Sequence, residues 1–202
     1  MDDTIHKIKS EIFENPITGE VEKLTVSSAF TATQLEGLKD FGMNPEDMIN
    51  NAIDRELERS KKKKFIKTIA DYAREQEDGV KKGTIIVNEA AGYQFVRSIM
   101  RFVFSCKSPV IYTNACILTL IHDVLQIKNM NNTSCYAYLV GDLIYTKDDE
   151  ELKVPVYLIP DLPWNQAEAL IFDDEDRTHS QIIEYTISDI TISENRGETK
   201  EA

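Results

Sequence analysis

Few residues in this chain could do chemistry: three histidines (His6, His122, His179), three cysteines (Cys106, Cys116, Cys135) and two acidic runs, Asp148–Glu151 and Asp173–Asp176. A metal site would have to use Cys106, Cys116, His122 and Cys135, whose spacings match no zinc pattern. The odd, widely spaced cysteines read instead as reduced, buried small hydrophobes. His122-Asp123 has the composition of half a nucleophilic relay, but an ordinary partly buried histidine is the favoured reading. His122 falls on a capped helix, His6 and His179 fall in peripheral segments, and no nucleophile is identifiable for them to serve. The acidic runs read as solvated turns; as a divalent-ion site they lack the glycine and ligand order of a calcium loop. There is no phosphate-cradling glycine loop, nucleophile elbow or zincin helix. Trp164, flanked by Pro160 and Pro163, reads as a core or interface anchor. The reading is of a protein that is not an enzyme and uses no cofactor or metal.

Composition narrows the class further. A chain of 202 residues fits one domain, with or without an appended arm, and 42% hydrophobic content is enough for a real core. A net charge of −12 argues against a nucleic-acid binder, because phosphate affinity needs concentrated Lys and Arg. The one basic cluster, Lys61–Lys64, reads as the solvated face of a helix, with contact to an acidic neighbour or to packaged nucleic acid as the alternative. The opening residues, MDDTIHKIKSE, carry no apolar stretch of a secretory signal, and no run approaches the roughly 18 apolar residues of a membrane span.

The elements are legible in order. Ile8 to Phe30 reads as an extended arm: Ile8, Ser10 and Ile12 alternate, Asn15-Pro16-Ile17-Thr18-Gly19 is turn chemistry, and Val21 to Ser28 alternates again. Neither strand carries enough apolar surface to stand alone, so the arm must lie on its own domain or on an adjacent subunit. A short helix follows from Thr31. After Gly42 the chain restarts at Asn44-Pro45-Glu46-Asp47, with an N-cap residue, proline at the first helical position and acids in the first turn. Apolar residues then recur at helical intervals from Met48 to Leu57 and from Phe65 to Ala73. A helix from Pro45 to Gln76 would be about 48 Å long, with a thin apolar seam interrupted at Arg59–Lys64. Downstream, Lys81-Lys82-Gly83 reads as loop, Thr84–Val87 as a strand, Glu89–Met100 as a helix and Val110–Tyr112 as a buried strand. Thr113-Asn114 caps an apolar helix through Leu125, and Asn129–Ser134 is a loop. Strands are expected at Tyr136–Val140, Val154–Ile159, Ala169–Phe172 and Ile182–Ile192, then an acidic mobile tail. The sum is an α+β fold.

Three segments, in order, resemble the major capsid proteins of tailed phages, in particular the T-even-like and large-phage lineage with the Hong Kong 97-type shell fold. Ala32-Thr33-Gln34-Leu35-Glu36 through Asp40, then Gly42-Met43-Asn44-Pro45-Glu46, then Ile53, Glu56, Arg59, Ile66, Ile69, Tyr72 and Ala73 resemble the family's short helix, restart and spine helix. Ser108–Leu118 resembles its strand, cap and helix. Tyr138-Leu139-Val140-Gly141 with Val154–Pro160 resembles its hairpin, and Leu170-Ile171-Phe172 a following strand.

The resemblance implies a Hong Kong 97-type fold with an N-terminal β-hairpin arm (1–30), a shell-type α+β domain (31–175) and a C-terminal strand and acidic tail (176–202). The domain would hold a spine helix (45–76) and a small mixed or antiparallel sheet. It implies a structural, self-assembling shell subunit whose partners are copies of itself and other capsid or head proteins, with packaged DNA met only indirectly. Neither a membrane nor a small-molecule substrate is expected. The protein would reside in the virion and assemble in the host cell cytoplasm. The arm would be buried by a neighbour, and Val21, Leu24, Val26, Phe30, Leu57, Phe65 and Trp164 would line intersubunit seams. A nanocompartment shell subunit shares the fold, and a non-tiling protein that binds a phage head is the alternative of a different kind.

Overall fold

A computed structural model describes residues 4–88, 90–127, 137–147, 150–160 and 167–188. Strands β1 (Thr4–Glu14) and β2 (Val21–Thr31) form a two-stranded antiparallel hairpin in continuous register from Thr4↔Thr31 to Glu14↔Val21. Its turn is built by Asn15, whose Oδ1 accepts from the Ile17 and Thr18 amides at 2.9 and 3.0 Å. Helix α1 (Ala32–Asp40) opens with a reciprocal capping box between Thr31 and Gln34. It closes at Phe41 and Gly42: the Gly42 amide bonds Lys39 O, the Met43 amide bonds Leu38 O, and Gly42 takes φ 71°. That is a Schellman ending, and the left-handed backbone is why glycine stands there.

Helix α2 (Pro45–Glu75) starts at Asn44, whose side chain accepts from the Glu46 amide, and runs unbroken for 31 residues. The charged middle does not interrupt it, because Glu56–Arg59 and Glu58–Lys61 pair along the helix at i,i+3 spacing. The remaining elements are β3 (Val80–Ile86), α3 (Ala91–Val103), β4 (Pro109–Thr113), α4 (Ala115–Ile121), a 3-10 turn (His122–Val124), β5 (Leu125–Ile127), β6 (Tyr138–Lys147), β7 (Glu150–Leu158), β8 (Ala167–Asp173) and β9 (Ser180–Ser188). Seven strands form one mixed sheet in the order β3-β9-β8-β4-β7-β6-β5, with β3–β9 and β4–β7 parallel and the other pairs antiparallel. The architecture is mixed α+β with four α-helices among the described residues.

The sheet is covered on both faces. On one, Phe95, Ile99 and Val103 of α3 and Ile117 and Ile121 of α4 pack on Ile111, Val156, Ile171 and Ile183. On the other, Ile66, Ile69, Ala70 and Ala73 of α2 pack on Tyr112, Leu170, Phe172 and Ile182. Strand β8 is therefore buried along its whole length.

Several elements differ from the sequence reading. Strand β3 starts at Val80, so Lys81-Lys82-Gly83 is strand and not loop: they pair in parallel with Ile183, Glu184 and Tyr185. Helix α3 continues past Met100 to Val103, whose side chain completes its apolar stripe. The helix after Asn114 ends at Ile121, and Leu125 already belongs to β5. Strand β6 does not stop before Gly141. There a Cβ would lie 2.5 Å from Gln126 O, so glycine marks the close approach of β5 and not a strand end. The C-terminal strand, β9, lies between β3 and β8, so it is continuous with the 31–175 unit and is not an appendage. The 129–134 loop, Asp148, Asp149 and the tail from residue 189 lie outside the described residues.

Candidate assembly interface

The apolar seam of α2 serves two different partners. Its C-terminal part, from Ile66, belongs to the sheet core, whereas Ile49, Ile53 and Leu57 are buried outside both sheet clusters, beneath the hairpin. Strand alternation aims Phe13 of β1 and Leu24, Val26 and Phe30 of β2 at the helix. Charges fix the register along the helix. Lys7 bonds Asn50, Lys9 bonds Asp54 at 2.7 Å, Glu11 pairs with Lys61, and Glu22 pairs with Lys64. The hydrogen bond from Lys61 holds the Glu11 carboxyl below its ordinary range, and the same bond raises the Lys61 ammonium. At the far end of the hairpin Ile17 reaches the sheet cluster.

This corrects the expectation for Leu57. The inner face of the arm is covered by its own spine helix, so Leu24, Val26 and Phe30 are half-buried within the chain and Leu57, 1% exposed, is closed to any neighbour. Phe65 is likewise engaged, edge-on to Phe172 with ring centroids 6.1 Å apart. Of the expected interface residues, Val21 is open to solvent, Leu24, Val26, Phe30 and Phe65 are partly open and Leu57 is closed; Trp164 lies outside the described residues.

The Lys61–Lys64 run is not a uniformly solvated face. Lys61 and Lys64 hold the hairpin, and Lys64 also lies 5.5 Å over the Phe13 ring. Lys62 turns the other way, with its ammonium 5.1 Å from the Phe65 centroid and 5.0 Å from that of Tyr112. Burial there pushes the Lys62 ammonium down. Lys63 is exposed. The run thus sits where α2 passes from the hairpin to the sheet and clasps both, a role hidden in the sequence because four identical residues give no clue to direction.

What remains open is the opposite face of the hairpin, where Ile8 is 67% and Ile12 is 70% exposed. Between them Ser10 Oγ and Thr25 Oγ1 lie 2.9 Å apart across the strands. The free edges of the main sheet are blunted: β3 carries Lys81 and Lys82, and β5 is three residues long.

The chemically suggestive residues do not assemble into a reactive centre among the described residues. His122 and Asp123 touch at 3.2 Å on an exposed turn. No motif marks a second pair: Ser105 Oγ and His179 Nε2 lie 2.7 Å apart, with His179 stacked on Phe102. The Ser105 hydroxyl also lies 2.6 Å from Phe102 O, which can only accept. The hydroxyl has one proton to place between that carbonyl and the imidazole, so which of Ser105 and His179 donates follows the ring's tautomer. Cys106 and Cys116 are of intermediate burial, less enclosed than expected, and burial pushes the Cys106 thiol up to about 12. Cys135 lies outside the described residues. Asp173 is no solvated turn residue. It is buried; that burial works to raise its carboxyl, yet the Lys107, Glu175 and Ser108 amides that bond it hold it below the ordinary range. No three His, Cys, Asp or Glu side chains among the described residues converge as metal ligands, and no helix among them is long and apolar enough to cross a membrane.

Compared with models of known protein families, with curated proteins and with solved structures, the chain matches none.

Proposed function

We propose that this chain is a self-assembling structural subunit of a virion shell, built on a Hong Kong 97-type plan of hairpin arm, spine helix and sheet domain. The observation that carries the reading is the outer face of the hairpin. Ile8 and Ile12 stand exposed on a ribbon whose other face is locked to α2 by apolar contacts and ion pairs. A rigidly mounted ribbon that presents β-branched residues to water is suited to lie against a neighbouring subunit. The blunted edges of the main sheet leave the ribbon as the adhesive element and disfavour indiscriminate strand addition.

The test is sedimentation velocity on the full chain and on Ile8→Ser/Ile12→Ser. Wild type is expected to sediment as large assemblies. The variant, altered only at exposed positions, should shift toward monomer and match the melting temperature of wild type measured at a dilution where both are dissociated. A wild type that stays monomeric or dimeric at high concentration would favour a non-tiling protein that binds a phage head.

A further inference from the structure

The outer face of the hairpin carries a pattern that docking on α2 does not require. Strand alternation puts His6, Ile8, Ser10, Ile12 and Glu14 of β1 on that face, and the register sets Thr25 of β2 beside Ser10. Charges of the inner face are engaged by α2: Lys9 with Asp54, Glu11 with Lys61 and Glu22 with Lys64. On the outer face Glu14 and Lys23 have no ion-pair partner among the described residues. Ile8 and Ile12 flank Ser10 symmetrically, and His6 and Glu14 stand beyond them at equal distances. On β2, Val21 and Ala29 are likewise equidistant from Thr25. The face is therefore its own complement under a two-fold axis lying across the strands at the Ser10–Thr25 pair. That axis brings Ile8 over Ile12 of a second copy, His6 over its Glu14 and Val21 over its Ala29. An axis along the strands would instead set Ile12 against Lys23 and pair no opposite groups. Self-contact also suits the charge. The chain carries −12 overall, whereas the glutamate and lysine of this face cancel, so it meets its copy without the repulsion of acidic surfaces.

We propose that two copies stack the outer faces of their hairpins about this two-fold axis, Ile8 packing on Ile12 and the His6 imidazole bonding the Glu14 carboxylate of the opposite copy. The proposal rests on the shell reading and names what the exposed arm lies against. Symmetry makes each of these contacts twice. A ribbon of two 11-residue strands, about 36 Å long and about 10 Å wide, covers about 350 Å² per copy. That is under half of the roughly 800 Å² per partner of a standard stable interface. One such contact is weak, and it holds where many act together in an array. A two-fold contact closes at two copies, so a shell needs a second contact working with it, and loss of either weakens the whole.

The experiment is sedimentation velocity of the full chain against His6→Glu, Glu14→Lys and the double variant, with the two single variants also mixed in equal amounts. Residues 6 and 14 lie about 26 Å apart along one strand, so within a chain their effects add. Rescue of one substitution by the other has to come from a second copy. His6→Glu sets two pairs of carboxylates face to face and is expected to weaken association about 5- to 30-fold at low ionic strength. That effect should shrink in about 0.5 M salt. Glu14→Lys should weaken association less. The double variant and the mixture should both return to within about 3-fold of wild type. Both positions are exposed, so melting temperatures read at a dissociating dilution should match. Losses that add in the double variant, or single variants that assemble as wild type does, overturn the face-to-face contact and leave the shell reading standing. A wild type that never assembles overturns both.

Discussion

Leu57→Ala separates the two halves of α2. Leu57 is 1% exposed and packs beneath the hairpin, outside both apolar clusters of the sheet. Truncating a buried leucine typically costs about 2–5 kcal/mol, depending on how far the site collapses. Here the roof is a two-stranded ribbon open to water on its far side, which can settle onto the gap, so the expected loss is about 2–3 kcal/mol. That loss falls on arm docking and not on the sheet, and it corresponds to roughly a 30- to 150-fold rise in the opening equilibrium. Hydrogen exchange read by mass spectrometry resolves the two regions. Protection of residues 4–31 should fall by about that factor, while β4, β8 and β9 keep theirs. Ile69→Ala, in the sheet-facing half of the same helix, should instead lower protection across the sheet. Equal loss in both regions for Leu57→Ala would refute the division of the seam.

Two further substitutions test the sheet domain. Asp173→Asn removes a buried carboxylate that accepts three backbone amides, and should cost about 2 kcal/mol or more at neutral pH. Because the folded carboxyl is held below its ordinary value, its stabilisation is present above that value and lost as pH falls through the folded one. Denaturant titrations of wild type and variant should therefore converge in acid, and a constant gap would contradict the assignment. Gly141→Ala forces a methyl against Gln126 O and should cost about 1–3 kcal/mol, read as a lowered melting temperature with exchange protection lost first at β5.

Local signals made much of this fold legible. Asn15 and Gly19 mark the hairpin turn, and Asn44-Pro45 with two acids marks the start of α2, because turns and caps depend on neighbouring residues alone. Direction and partnership were not legible. Period-2 alternation shows that a ribbon has two faces but not that Phe13 faces its own helix while Ile12 faces water. Helical spacing shows a seam but not that Leu57 and Ile69 serve different layers. Asp173 looked like one of four solvated acids because its burial depends on a loop more than 60 residues earlier in the chain. The Ser105–His179 contact joins residues 74 positions apart and is invisible to any motif.

Removing the arm outright would uncover Ile49, Ile53 and Leu57 and confuse assembly with aggregation. The intact chain therefore gives the cleaner answer. Negative-stain electron microscopy of the purified full-length protein across a concentration series should show rings or closed particles of uniform curvature. A field of dispersed single molecules at the highest concentration, confirmed as monomer by sedimentation, would contradict the proposal that copies of this chain cover one another's exposed arm.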